Sequence, residues 1–474
     1  MTKTKIVIIT LILLLIPISL AYWFLFEPVT EVDVVVIGAG AGGMSAALEA
    51  EKQGASVVLL EKMPYVGGNT VRATAGMNAV LTPQQKDRDI KDGKEIFLND
   101  ILESGHGLNS VEMIEVLIDH SADAINWLSD LGADLSDVGI LAGHTKPRTH
   151  RPSGGQPIGN EVVKTLSSAI KKSNVDLKLE HKAIEIILDR EGKAKEVKAI
   201  DKTGRVYTIR CKSVVIATGG FGGSSELFVY YNQNLKGYHT TNSPSATGDF
   251  IELAAQIDAQ LTDMEYIQTH PTVSPRYGML ITEAIRGNGG ILVNNQGVRF
   301  ADEMKNRDYL SEVLLAQPDR EVYLIFNENI RQTLAASDDY IDMNIILTSD
   351  TIEGLANKIR VDPSALSNTL DRYNSFIQRN NDKDFNRQSL NTPLSEGPFY
   401  AIQVIPGVHY CMGGVMINPQ AQVIGDNDSP IPGLFAAGEA TGGIHGLNRL
   451  GGNSLLDAIV YGRIAGENAA TLQK

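Results

Sequence analysis

The chain has 474 residues, 43% hydrophobic and 21% charged. That is enough apolar material for about two or three folded domains and too much for a disordered chain. With 56 acidic residues against 42 Lys and Arg, the formal charge is −14, which would repel a nucleic-acid backbone; Cys211 and Cys411 allow at most one disulfide.

Ile6 to Phe26 carries no charge over 21 residues, with Lys3 and Lys5 before it and Glu27, Glu31 and Asp33 after it. As a helix it would be about 31 Å long, close to the ~30 Å hydrocarbon core of a bilayer. The flanking charges predict a cytoplasmic N-terminus and an exported remainder. Residues 1–30 are therefore read as a signal peptide, with Ser19-Leu20-Ala21 as its cleavage site, or as an uncleaved membrane anchor ending in the aromatic stretch Trp23–Phe26. Both readings place the folded part outside the cytoplasmic membrane, secreted or anchored.

Val32–Ile37 is a β-branched run suited to a central parallel strand. A glycine turn follows, then an Ala-rich helix over Met44–Gln53 and a second strand, Ser56–Leu60, ending at Glu61. Ala75–Pro83 and Thr145–Gly159 read as loops, with mainly helical text over Ile96–Leu131 between them. Leu177–Ile187 and Val197–Ile209 read as strands of a small meander, followed by the buried strand Ser213–Ala217. The segment 262–408 is more polar and lacks a glycine-turn fingerprint. It is read as an inserted capping (substrate) domain between 31–261 and 409–474, two parts of one cofactor domain.

Gly38, Gly40 and Gly43 form GxGxxG, and Glu61 lies 18 residues beyond the last glycine. The first glycine permits a tight turn, the second lets backbone approach a pyrophosphate and the third lets helix pack on strand. The acid would accept hydrogen bonds from ribose hydroxyls. Strand, turn, helix, strand and acid in register predict a dinucleotide. Further glycine turns at Gly67–Thr70, Ala217–Gly220 and Gly438-Glu439 favour FAD over a nicotinamide, because they bring several chain regions to one cofactor.

From Val32 onward the chain resembles the flavoprotein part of the soluble, flavocytochrome c type fumarate reductases, within the fumarate reductase/succinate dehydrogenase flavoprotein family. The matching segments include Gly67-Gly68-Asn69, Gly76-Met77-Asn78-Ala79, His150-Arg151-Pro152, Gln268-Thr269-His270-Pro271-Thr272, Thr282–Gly289, Arg307-Asp308, His409 with Met412-Gly413-Gly414, and His445–Asn453. The resemblance implies a Rossmann-like α/β FAD domain with an inserted α+β cap and the substrate between them. It extends the FAD-binding set to Gly42, Lys62, Asn69, Thr70, Thr74, Ala75, Gly76, Ala217, Thr218, Gly219, Asp249, Tyr410, Gly438, Glu439, Ser454 and Leu455. No His stands in Gly68–Arg72, where the membrane-complex branch attaches its flavin, so non-covalent FAD is expected.

By the same resemblance His270, Thr282, His409, Arg449 and Gly452 bind a small dicarboxylate. Reduced flavin N5 gives hydride to the alkene of fumarate, and Arg307 gives the proton, reloaded through Glu283 and Arg286, to yield succinate. A carbanion beside a carboxylate is a far stronger base than neutral guanidine, so that transfer runs downhill. The plainer alternative is that Arg307 binds a carboxylate or pairs with Asp308. Rival functions are reduction of another acrylate such as methacrylate or urocanate, the reverse dehydrogenation, and a non-catalytic flavin electron carrier or sensor. Without a Cys-x-x-Cys-His motif, electrons are expected from a separate cytochrome c or a quinol-linked membrane protein. Tyr410 and Cys411 depart from the His and Thr usual in relatives. His445 is left unassigned, His181 and His239 are read as surface or packing residues, and no residue cluster has metal-ligand spacing.

Overall fold

Val34–Ile37 is buried at every residue because it has a parallel neighbour on each side, Val57–Glu61 and Ser213–Ile216. Such a strand has no solvent face, and its all-aliphatic sequence meets that demand. The computed structural model describes residues 30–471. The predicted N-terminal hydrophobic segment therefore lies outside the described residues. Among those described, no helix is long and apolar enough to cross a membrane.

The six-stranded sheet runs in the order 422–424, 430–436, 213–216, 34–37, 57–61, 176–179, parallel except for the first pair. The predicted meander strand Leu177–Ile187 is split: its first residues belong to Asp176–Leu179, which adds to Val57–Glu61 as the sheet's outer strand, and the chain turns at Glu180, which has a φ of 62°. The meander proper is His181–Leu188, Ala194–Asp201 and Val206–Arg210, joined by Thr30–Glu31. The two predicted loops are partly ordered against each other: Met77–Asn78 pairs antiparallel with Thr149–Arg151. Too short to show periodicity, these strands gave no signal.

The helix after the glycine turn is Ala41–Lys52, beginning three residues earlier than its alanine content suggests. It packs on the C-terminal helix Asn453–Thr471 through backbone: a Cβ on Gly462 would stand 2.5 Å from Gly42 O, and one on Gly466 2.1 Å from Ala46 O. Only glycine allows this approach.

A second hydrophobic core, built from Leu141 and residues between Ile281 and Val404, is separate from the core around the large sheet. Its sheet contains Ile291–Asn294, Val322–Asn327, Ile346–Ser349 and the strand Phe399–Cys411. That 13-residue strand starts in the second core and ends at Cys411 in the first. Along its last turn of pairing it meets Ile267–Val273, with Gln268 opposite Tyr410 and His270 opposite Gly407.

Candidate active site

Two cavities adjoin where the large sheet meets the second core. The first, about 820 Å³, is lined by Gly38, Gly40, Gly42, Glu61, Lys62, Asn69, Thr70, Ala217, Thr218, Gly219, Asp249, Gly438 and Glu439. Gly43 lies beneath it, where a Cβ would stand 1.8 Å from Gly38 O, so this glycine is required by helix–turn packing. The Glu61 carboxylate accepts from the amides of Ala39 (2.9 Å) and Met63 (2.8 Å), which fixes it at the strand end with lone pairs still available. Burial raises its pKa above the usual carboxylate value. Lys62 donates to Asp249 (2.9 Å) and Thr247 (2.6 Å). Burial works against ionising Asp249, but Lys62 outweighs it and lowers its pKa.

The second cavity, about 860 Å³, shares Asn69, Thr70, Glu439 and Ala458 with the first, so the two form a continuous slot. Thr74, Ala75, Gly76, His270, Glu283, Arg307, His409, Tyr410, Arg449, Gly452, Ser454 and Leu455 also line it. At the junction Asn69 donates to Asn242 (2.6 Å) and Glu439 (3.2 Å), and the Cys411 amide donates to the other Glu439 oxygen (3.1 Å). Burial raises Glu439 to about 7.

Strand pairing brings His270 and His409 together, their ring centroids 5.3 Å apart. The Thr272 amide donates to His270 Nδ1 (3.3 Å), which leaves that ring's proton on Nε2. His409 Nδ1 lies 2.7 Å from the Thr241 hydroxyl. Burial first, then Arg307, holds both imidazoles well below their ordinary pKa, so both are neutral near pH 7.

Arg307 is the first residue of the helix Arg307–Leu315. It donates through Nη2 (2.6 Å) and Nε (3.2 Å) to one oxygen of Glu283 and through Nη1 to Gln268 (2.8 Å). The other Glu283 oxygen lies 3.2 Å from Arg286 Nη2. Burial would raise the Glu283 pKa, but the two guanidiniums prevail and lower it to about 2. Arg449, on the loop before the C-terminal helix, lies 4.3 Å over the Tyr410 ring and donates to Leu450 O (3.1 Å) and Gln268 (3.3 Å). Among the described residues no carboxylate lies within ion-pair distance of it, and its Nε has no partner. Burial, then Arg307, lowers its pKa to about 10, still charged at neutrality.

Besides Gly43, two expected site residues line neither cavity. Arg286 is fully buried behind Glu283, and Thr282 is a buried residue whose hydroxyl accepts from the Ala284 amide (3.4 Å). His181, read from sequence as a surface or packing residue, lines the first cavity and bonds Tyr207 (2.6 Å). Sequence reasoning also missed Arg72, Thr241 and Asn242, which line the second cavity, and the buried Gln268, which bridges Arg307 and Arg449. Gln268 belongs to the motif Gln268–Thr272, but only strand pairing shows what its amide touches. His445 is buried 3.4 Å from Asp457.

Residues 33–455 match the family described as FAD binding domain. The chain belongs to that family. Its fold is the mixed α/β FAD-binding fold of flavoproteins, and FAD is its cofactor. The residues fit that group: glycine backbone lines the slot, Glu61 keeps acceptor capacity for hydroxyls, and the buried Thr74 hydroxyl facing the second cavity has no partner. Among known proteins the chain is 43% identical over 432 residues to "Fumarate reductase (cytochrome)" of Shewanella frigidimarina, covering 91% of this chain and 76% of that one. It is 41% identical over 429 residues to "NADH:fumarate oxidoreductase" of Klebsiella pneumoniae (strain 342), covering 90% of this chain and 46% of that one. A solved flavocytochrome c3 fumarate reductase in its open conformation superposes with a TM-score of 0.77 at 38% identity, covering 96% of this chain and 80% of that one.

Proposed function

We propose that the protein is an FAD-dependent reductase of fumarate, producing succinate. The observation that carries this reading is Arg449: a buried guanidinium with no carboxylate within reach among the described residues, facing a cavity shared with two neutral histidines and Arg307. An uncompensated buried cation is costly unless a ligand completes it. A dicarboxylate does so, and the activities for which the relatives are named agree with it.

FAD, when bound in its reduced form, supplies the hydride. Arg449 and His409 hold one carboxylate and favour negative charge developing toward it, Arg being able to bind both oxygens. His270, through Nε2–H, holds the other. Thr282 is its proposed second ligand, since a hydroxyl that accepts from the Ala284 amide keeps its own proton to donate. Arg307 supplies the proton to the second carbon. Glu283 compensates the charge as Arg307 reloads, with Arg286 behind it. The plainer reading of Arg307, a pair with Asp308, is not what its guanidinium does here: its bonds go to Glu283 and Gln268. The second core between 281 and 404 serves in this reading as the cap, positioning Arg307 and Glu283 over the slot.

FAD is held without a covalent link, the folded part works outside the cytoplasmic membrane, and a separate cytochrome c or quinol-linked membrane protein delivers electrons. The charge-flanked run Ile6–Phe26 and the lack of a Cys-x-x-Cys-His motif support the last two points.

The test is stopped-flow mixing of the dithionite-reduced, FAD-loaded protein with fumarate, methacrylate and urocanate. Rapid flavin reoxidation by fumarate alone is expected. Reoxidation by another of the three moves the substrate, and reoxidation by none overturns the reductase reading in favour of an electron carrier or sensor.

A further inference from the structure

The cavity that holds His270, His409 and Arg449 has a third arginine. Arg72 closes the short helix Gly68–Arg72, is exposed to solvent and lines that cavity. Its contact with the protein is slight: Nη1 donates to Thr241 O at 3.4 Å, and among the described residues it forms no ion pair. A guanidinium has five N–H donors, so most of its capacity faces outward. Thr241, which it touches, is the residue whose hydroxyl lies 2.7 Å from His409 Nδ1. Arg72 thus stands one residue outward from the inner carboxylate clamp, on the side of His409.

The other cations of the slot are committed differently. Arg307 is paired with Glu283, and Lys62 and the partly exposed Lys182 share Asp249 in the first cavity. Arg449 is uncompensated but buried. A dianion approaching a chain of net charge −14 meets general repulsion, and a single exposed cation at a cavity mouth focuses the local field where it is needed.

We infer that Arg72 is a substrate-recruiting residue: it captures the leading carboxylate of a dicarboxylate at the mouth, hands it to His409 and Arg449, and so favours dianions over monocarboxylates. This rests on the dicarboxylate reading of the inner site. No step of the reaction passes through Arg72, so its loss falls on binding.

The experiment uses the full-length, FAD-loaded protein with Arg72→Gln and Arg72→Lys. Succinate and the monoanion butyrate are titrated against the oxidised flavin spectrum, and fumarate reduction is followed with reduced methyl viologen across a salt series. Arg72→Gln is expected to raise the succinate Kd and the fumarate KM about tenfold, to change butyrate binding less than about threefold, and to flatten the fall of kcat/KM with salt. Arg72→Lys keeps most of the wild-type behaviour, because a point charge suffices for steering. Wild-type Kd and KM in Arg72→Gln would overturn the inference, as would a loss of bound FAD with succinate affinity intact. Succinate affinity that depends on Arg72 in a protein unable to reduce fumarate would uphold the inference while removing the proposed reaction.

Discussion

In the cavity around Gly38, Gly40 and Gly219 the lining lysines, Lys62 and Lys182, share Asp249, and much of the remaining wall is backbone. In the adjoining cavity around His270 and His409 three arginines stand in the wall, and two of them, Arg449 and Arg72, have no carboxylate within ion-pair distance among the described residues. In the first cavity each lining lysine has a carboxylate partner, and much of what a ligand would meet is backbone. The second is electrostatically incomplete and asks for an anion. A permanently held cofactor and a substrate that must leave call for these different solutions. The former needs a close-fitting surface, while the latter needs charge that the ligand alone compensates.

The largest expected effect lies in the second cavity. Arg307→Ala should bind FAD and fumarate yet lose kcat by roughly 10³-fold or more, the upper range for removing a positioned proton donor. Arg449→Ala should weaken fumarate binding as well as rate, because it removes the clamp. Steady-state kinetics with a separate fumarate titration distinguishes them. Turnover near wild type in Arg307→Ala would return that residue to a binding role and leave the proton source open.

The first cavity is tested through backbone, and the effect expected is smaller. A Cβ at Gly43 meets Gly38 O at 1.8 Å, so Gly43→Ala must shift a turn against a helix, at a cost of about 1–3 kcal/mol. A Cβ at Gly40 meets nothing nearer than Thr70 Oγ1 at 3.7 Å, and its φ of −75° suits any residue. Gly40→Ala should therefore leave the melting temperature of the apoprotein unchanged while weakening FAD binding, because the new methyl occupies the pyrophosphate approach. Gly43→Ala should lower the melting temperature itself. Calorimetry of both apoproteins with FAD titrations checks the pair; equal melting temperatures would remove the distinction between a packing glycine and a ligand-facing one.

This contrast also explains what was legible in the sequence. The first cavity is written in contiguous text, since Gly38, Gly40, Gly43 and Glu61 belong to one strand–turn–helix–strand unit whose spacing is itself the geometry. The second is assembled from strand pairing between Ile267–Val273 and Phe399–Cys411, from a helix start at Arg307 and from a loop at Arg449. No local pattern reports that convergence, and family resemblance supplied it. Gln268 and Thr241 were missed because their roles are contacts to other site residues, and Arg72 because a surface arginine in a turn has no distinguishing spacing. The first residues of the expected strand Leu177–Ile187 were misplaced because alternation along a strand does not say which sheet it joins.

The smallest expected effect compares a carboxylate from each side of the boundary. Glu439, where the cavities meet, is raised by burial to about 7 from an ordinary 4.5. Glu283, in the second cavity, is lowered to about 2 by Arg307 and Arg286 against the effect of burial. Their linkages to folding have opposite signs. Between pH 4.5 and 7 the folded protein keeps a proton on Glu439 that the unfolded chain releases, so stability falls as pH rises through this window. Glu283 contributes stability that is present above about pH 4.5 and is lost as pH falls toward 2. Apoprotein melting from pH 4.5 to 7.5 should therefore lose part of its downward slope in Glu439→Gln, which keeps the shape and removes the titration. Glu283→Gln should lower stability across that range without altering its slope, since Glu283 is ionised throughout. An unchanged slope in Glu439→Gln would mean that the junction carboxylate is solvated in the apoprotein, and the first cavity would then be more open to water at its inner end than its burial implies.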